Sequence, residues 1–279
     1  MADDDETVDW SKAKPRPSVN LELNLNAVIA PAQNAVVLSS EIVDFFSDAI
    51  AKADLSKKPV NTATQYKFKT PDVSAADRQA MFENWIFSKA FQDLMRGLKA
   101  SLEQAYFLLE LLAKPQKIKS DATLEEFLAP FRRKAALLHF GPLLDLVNSR
   151  LDPPLNFVDA YHSLQRARNC MEHRDGIVGD VDAPSGGVMI LSFPRVKNFY
   201  MRKGEEIELE AGHAINAEDG NETVQILTKL ELRERRFSRC HRLSISINDF
   251  NEIAFACNYF AGQLAEKIAA VPPPAKPAA

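Results

Sequence analysis

The hydrophobic positions change period three times along the chain. VNLELNLNAVIA alternates at Val19, Leu21, Leu23 and Leu25, a step of two that predicts a short edge strand. EIVDFFSDAIAKADL then takes helical spacing, with Ile42, Phe45, Phe46 and Ile50 on one face and Ser39 or Ser40 in place to cap it. From about Ser74 to Ala113, Phe91, Leu94, Met95, Leu98, Leu102, Ala105, Leu109 and Leu112 recur at steps of three and four. That stripe predicts a long core-facing helix, capped by Ser74, the spine of a bundle. Gly97 inside it costs about 1 kcal/mol in helix propensity and marks either a close helix crossing or a kink. DATLEEFLAPFRRKAALLHFGPLLDLVNSRLD predicts two more helices, broken near Pro130 and again at Gly141-Pro142. The next helix runs from about Leu155 to His173, with Phe157, Tyr161, Leu164, Ala167 and Met171 inward and Gly176 just past its end.

The period then returns to two. VMILSF, VKNFYM, EEIELEAGHAI, TVQILTKLELRERRF and RLSISI read as strands, and AEDGNE carries a hairpin signal. Helical spacing resumes in DFNEIAFACNYFAGQLAEKIAA, where Phe250, Ile253, Cys257, Phe260, Leu264 and Ile268 share a face and Asn248 can cap. The expected fold is mainly α with a β insertion: a helical bundle whose last helix is separated from the others by a small antiparallel sheet at about 186–247. One domain spans 19–270, between an acidic tail, 1–18, and a proline-rich tail, 271–279.

Composition narrows the function classes. A chain of 279 residues with 46% hydrophobic content can bury a substantial core. The net charge of −4 gives no global attraction to nucleic acid or an anionic membrane, so such binding requires a local patch. The three cysteines, Cys170, Cys240 and Cys257, form no disulfide framework or zinc pattern. The acidic MADDDETVDW is unlike a signal peptide, and no apolar run approaches a membrane span. The expectation is a cytoplasmic protein with no cofactor, no metal and no membrane contact.

No phosphate-cradling loop, dinucleotide fingerprint, HExxH or CxxC pair occurs. Cys170 and His173, three apart, read more simply as core and surface residues than as a nucleophile and its base. Glu172, His173 and Asp175 leave a helix in directions that do not converge on a metal. What remains is RNCMEH, Arg168 to His173. Arg132 or Arg133 before His139, and Arg235 or Arg236 before His241, repeat an arginine–histidine spacing. Only Arg168 is followed by a polar Asn on a helix ended by glycine.

This segment resembles the signature of the HEPN superfamily, an arginine followed by a polar residue and, a few positions on, a histidine. The resemblance covers about 75–175 and 247–270, and leaves the β insertion outside it. It implies a HEPN-like helical bundle and a metal-independent endoribonuclease of the toxin or defence type. It equally allows a non-catalytic module that binds a partner protein or RNA. The residue chemistry suits RNA cleavage. An imidazole such as that of His173 moves protons near neutral pH, Arg168 offers fixed donors to a phosphorane, and Asn169, four residues before His173, can orient the ring. One histidine is half of an acid–base pair. His162 lies about 16 Å away along the helix, so a second motif across a homodimer cleft is the simplest remedy, as the resemblance also implies. On a regular helix Arg168 points about 140° from His173 whereas Arg166 is nearly on its face; either the helix ends early or Arg166 contributes. Arg166, Arg174, Arg235 and Arg236 are candidate RNA contacts, and an antitoxin or regulatory protein is a further expected partner. Against these stands the plain reading: an Arg168–Glu172 pair at i,i+4, cations at a helix end, and a solvated strand face.

Overall fold

The structure, a computed structural model, describes residues 24–57, 72–113, 123–183, 186–209 and 225–272. Among these, six helices and three strands follow in the order α1 (Asn26–Lys52), α2 (Ala75–Ala113), α3 (Leu124–Leu137), α4 (Phe140–Asn148), α5 (Val158–His173), β1 (Val188–Arg202), β2 (Glu205–Glu208), β3 (Ile226–Ser238) and α6 (Ile247–Ala269). The fold is mainly helical, with a small three-stranded antiparallel sheet lying in sequence between α5 and α6.

α2 is the spine. Its predicted stripe is buried from Phe91 to Leu109, and Ser74 caps it, the hydroxyl accepting the Asp77 N–H at 3.1 Å. α6 packs beside it with Phe250, Ile253, Cys257, Phe260, Leu264 and Ile268 all inward. Its cap is Ser246, in a reciprocal box with Asp249, and not Asn248, which lies inside the helix. α5 joins the same core through Tyr161, whose ring meets that of Phe260 at 4.6 Å between centroids and whose hydroxyl donates to the Ala256 carbonyl at 3.2 Å.

α1 departs from the expected pattern. Val19, Leu21 and Leu23 lie outside the described residues, but Leu25 is in a turn and 26–30 are helical, so no strand continues there. The helix starts at Asn26 and Ser39, expected as a cap, is buried within it. Val28, Ala32, Ser39, Val43 and Ile50 form its buried line. Ile42, Phe45 and Phe46 therefore face outward, Phe45 at 70% exposure, with Met81, Phe82 and Trp85 of α2 beside them. Phe46, Ile50, Met81, Phe82, Trp85 and Ile86 enclose an apolar hollow of about 470 Å³. The α1–α2 seam is set by small residues. A Cβ on Gly97 would lie 2.5 Å from the Ala35 Cβ and 2.9 Å from the Pro31 carbonyl oxygen. Gly97 thus marks a close crossing. Gly97→Val should lower the stability read from a denaturant midpoint by about 2 kcal/mol, the usual scale of overpacking; an unchanged midpoint would contradict the tight seam.

Two other boundaries move. Pro130 sits inside α3, whose start is fixed by a Thr123–Glu126 capping box, and the chain breaks instead at Leu138–His139 before α4. Pro142 falls in the first turn of α4, where a missing N–H costs least. VMILSF and VKNFYM are one strand through Pro194, with β2 and β3 on its two edges in the order β2-β1-β3. β2 covers only Phe199 to Arg202, so Pro194 lies where β1 is paired on one side. There Ser163 of α5 serves the other edge, its hydroxyl bonding both the N–H and the carbonyl of Ser192 at 2.8 and 2.7 Å. RLSISI is no strand: beyond a single bridge between Ile177 and Arg242, it runs extended, with Leu243 and Ile245 buried. AEDGNE lies outside the described residues.

The inner face of the sheet meets α6 partly through charge. Arg195 donates to Glu208 on β2 and to Glu231 on β3, the Nη2–Oε1 distance to the latter being 2.6 Å, and reaches Glu252 of α6 at 3.4 Å. Arg233 pairs with Glu252 at 2.8 Å and with Glu208 at 3.0 Å.

Candidate functional site

α5 is regular through His173 and ends at Arg174, after which Asp175 and Gly176 both take positive φ and the Gly176 N–H closes on the Cys170 carbonyl at 3.1 Å. Arg168 and His173 consequently leave the helix about 140° apart, with Arg166 near the azimuth of His173. Glu172 connects the two sides. Its carboxylate pairs with the Arg168 guanidinium and lies 3.7 Å from His173 Nε2. Asn169 sits between them, its Oδ1 accepting from Gln165 Nε2 at 2.9 Å and from Arg168 Nη1 at 3.2 Å. His173 is 60% exposed, and Arg166 is exposed on the same flank.

The remaining candidates divide. Arg174 forms a fork-to-fork pair with Asp182, which is almost fully buried and also accepts the Gly179 N–H at 3.0 Å. That arginine, partly exposed, holds the chain after α5 in place. On β3, alternation sends Arg235 to the inner face, where it binds Asp249 at 2.7 Å, and Arg236 to the outer face, 3.5 Å from Glu234. Glu172 thus joins Arg168 to His173 while Asn169 bonds Arg168, and the sheet holds Arg235 and Arg236 on opposite faces.

What the linear sequence hides is the surface beside the motif. α2 and α5 run in opposite directions with two cavities between them. One, of about 160 Å³, is bordered by Arg96, Lys99, His139, Gln165 and Arg168. The other, of about 630 Å³, lies toward the end of α5 and includes Trp85, Gln92, Glu172, Asp175 and Arg242. His139, Lys89 and Arg242 therefore join the candidate surface. Their signal in the sequence was weak: the polar positions Asn84, Ser88 and Gln92 recur every four residues on α2, a second line beside its apolar stripe. His162 serves structure, with its Nε2 2.8 Å from Asp145 on α4.

The cysteine reading loses support from burial. Cys170 is enclosed, and burial followed by the Asp182 carboxylate pushes its thiol up to about 11, so it keeps its proton at neutral pH. Burial also raises Cys257. Among the described residues no group of three or more His, Cys, Asp or Glu side chains is arranged to hold a metal ion, and no helix is long and apolar enough to cross a membrane. No family model matches the chain, and neither a curated protein nor a solved structure is similar to it at a significant level.

Proposed function

We propose that the protein is a metal-independent endoribonuclease of HEPN type, acting on single-stranded RNA in a toxin-like or defence role. The observation that supports this reading best is the position of His173: a solvent-open imidazole linked through Glu172 to Arg168, where Glu172 borders a cavity with Lys89 and Arg242 and Arg168 borders another with Arg96, Lys99 and His139. In the reaction a base takes the 2′-hydroxyl proton, the 2′-oxygen bonds to phosphorus, and the bond from phosphorus to the 5′-oxygen breaks as an acid protonates the leaving group. The products are a 2′,3′-cyclic phosphate and a 5′-hydroxyl. His173 supplies one of the two proton transfers, and Arg168 stabilises charge growing on the phosphorane once the phosphate displaces Glu172 from its guanidinium. The second proton-transfer group comes from the same motif in a homodimer, where the flank bearing Arg166, Asn169 and His173 is the open side of α5.

A second reading has its own support. Arg168 and Asn169 already satisfy each other, Gln165 and Glu172, which is how a non-catalytic module that binds RNA or a partner protein would look. The two are separated by incubating purified protein with single-stranded RNA in excess chelator. The ribonuclease reading expects cleavage that stops when the nucleotide before the scissile phosphate is 2′-deoxy. Intact RNA under all conditions, or cleavage indifferent to the 2′-hydroxyl, would remove that mechanism.

A further inference from the structure

The larger cavity between α2 and α5 has a composition that the cleavage chemistry does not use. Trp85 stands at its mouth, 60% exposed, offering a flat aromatic face. Gln92, only 6% exposed, lines the interior. An amide on a cavity wall can both donate to and accept from a ligand that displaces water from it. Ser88 and Asn84 extend this polar line one and two helical turns back from Gln92 toward Trp85. Lys89 and Arg242 add two cations to the same lining, and the volume of about 630 Å³ is in the usual range for a small-molecule site. Glu172 borders this cavity and also touches the motif histidine, so the cavity opens beside the proposed cleavage position.

We propose that this cavity is a nucleotide subsite: it takes one base of single-stranded RNA stacked on Trp85 and read by the Gln92 amide, with the adjoining phosphate at Lys89 or Arg242. Each part matches one part of a nucleotide. An indole face accepts any base, an amide can both donate to and accept from a base edge, and a lysine or arginine meets a phosphate oxygen. The charges in the lining are balanced by Glu172 and Asp175, which favours a ligand carrying both a phosphate and hydroxyl donors over a simple anion.

The assignment of RNA as ligand rests on the ribonuclease reading, but its test does not need cleavage. Fluorescein-labelled single-stranded homo-oligoribonucleotides are titrated against full-length His173→Ala protein, and anisotropy is compared with the same background carrying Trp85→Ala or Gln92→Leu. Saturable binding, weakened about tenfold or more by either change, is expected, since a stacked base contributes that much by alanine substitution. Trp85 is at the surface and Gln92→Leu places an apolar group on the wall, so far-ultraviolet circular dichroism should be unchanged and verifies folding. Equal affinity in all three proteins overturns the subsite, as does failure of the first to bind any oligoribonucleotide. Competition by a mononucleotide but no binding of RNA would assign the cavity to a free nucleotide and overturn it for RNA. Binding lost in both pocket variants, with no cleavage by the parental protein, keeps the subsite and removes the ribonuclease.

Discussion

His173→Ala should slow RNA cleavage by about 10²- to 10⁴-fold, the usual worth of a positioned acid or base, while leaving the melting temperature close to that of the parent. The side chain is 60% exposed and its one ionic neighbour among the described residues is Glu172 at 3.7 Å, so its removal takes little from the core. Arg168→Lys keeps the charge but loses the planar fork that can hold two phosphate oxygens, and should lower the rate as well. Arg166→Ala is the contrast, because that arginine shares an azimuth with His173 and lies outside the two cavities; weaker binding with turnover retained is expected. If Arg166→Ala is inactive and Arg168→Lys is not, the phosphate donor is Arg166. His139→Ala completes the set. A loss comparable with that of His173→Ala puts both proton-transfer groups in one chain, and a parental rate leaves the second to another subunit. Rates measured in chelator from limiting to saturating RNA decide all four, and full activity in His173→Ala rejects the mechanism.

Arg195→Met should cost about 3 kcal/mol or more of folding stability, measured from urea denaturation. Its side chain is 8% exposed and faces carboxylates from three elements, Glu208, Glu231 and Glu252. Deleting one partner of a buried ionic group leaves the others uncompensated, which typically costs about 3–5 kcal/mol, even where the intact group adds little over an apolar one. The loss should depend on pH with a definite sign. Burial pushes the Glu252 carboxyl up to about 7, Arg195 is the main influence opposing that rise, and Asp249 adds to it. Unfolded, the group titrates near about 4.3. A carboxyl raised by folding contributes stability that is present at low pH and is lost as pH passes upward through the folded value. The variant should therefore suffer more at pH 8 than at pH 5. A pH-independent deficit, or none, would show that this cluster is not what fastens the sheet to α6.

The long amphipathic helices were legible because one face of each is buried along most of its length: the stripes from Phe91 to Leu109 and from Phe250 to Ile268 needed no knowledge of neighbours. α1 was not, for two reasons. The alternation at Val19 to Leu25 runs directly into the helix start, where Asn24 Oδ1 accepts the Asn26 N–H at 3.0 Å. Its inward line also relies on Ala32 and Ser39 at a crossing made possible by Gly97, and small residues weigh little in a hydrophobic pattern, whereas Phe45 and Phe46 weigh heavily. RLSISI alternates because Leu243 and Ile245 plug the core, with a single bridge between Arg242 and Ile177 in place of a ladder. For the candidate site, the local part was readable: i,i+4 spacing puts Glu172 on Arg168, and helix regularity separates Arg168 from His173. The two cavities were not, since the residues bordering them, Lys89, Gln92 and Arg242 of one and His139 of the other, come from three distant segments that only the fold sets beside α5.

Trp85 borders both the polar cavity beside α5 and the apolar hollow between α1 and α2. A single indole cannot turn toward one without withdrawing surface from the other, so the two spaces share a wall that belongs to neither alone. Whatever settles on the apolar side and fixes the ring changes the affinity of the polar side by some factor, and a guest in the polar cavity must change the apolar side by that same factor. The two surfaces are thus thermodynamically reciprocal through the side chains they share, Trp85 and its neighbour Met81.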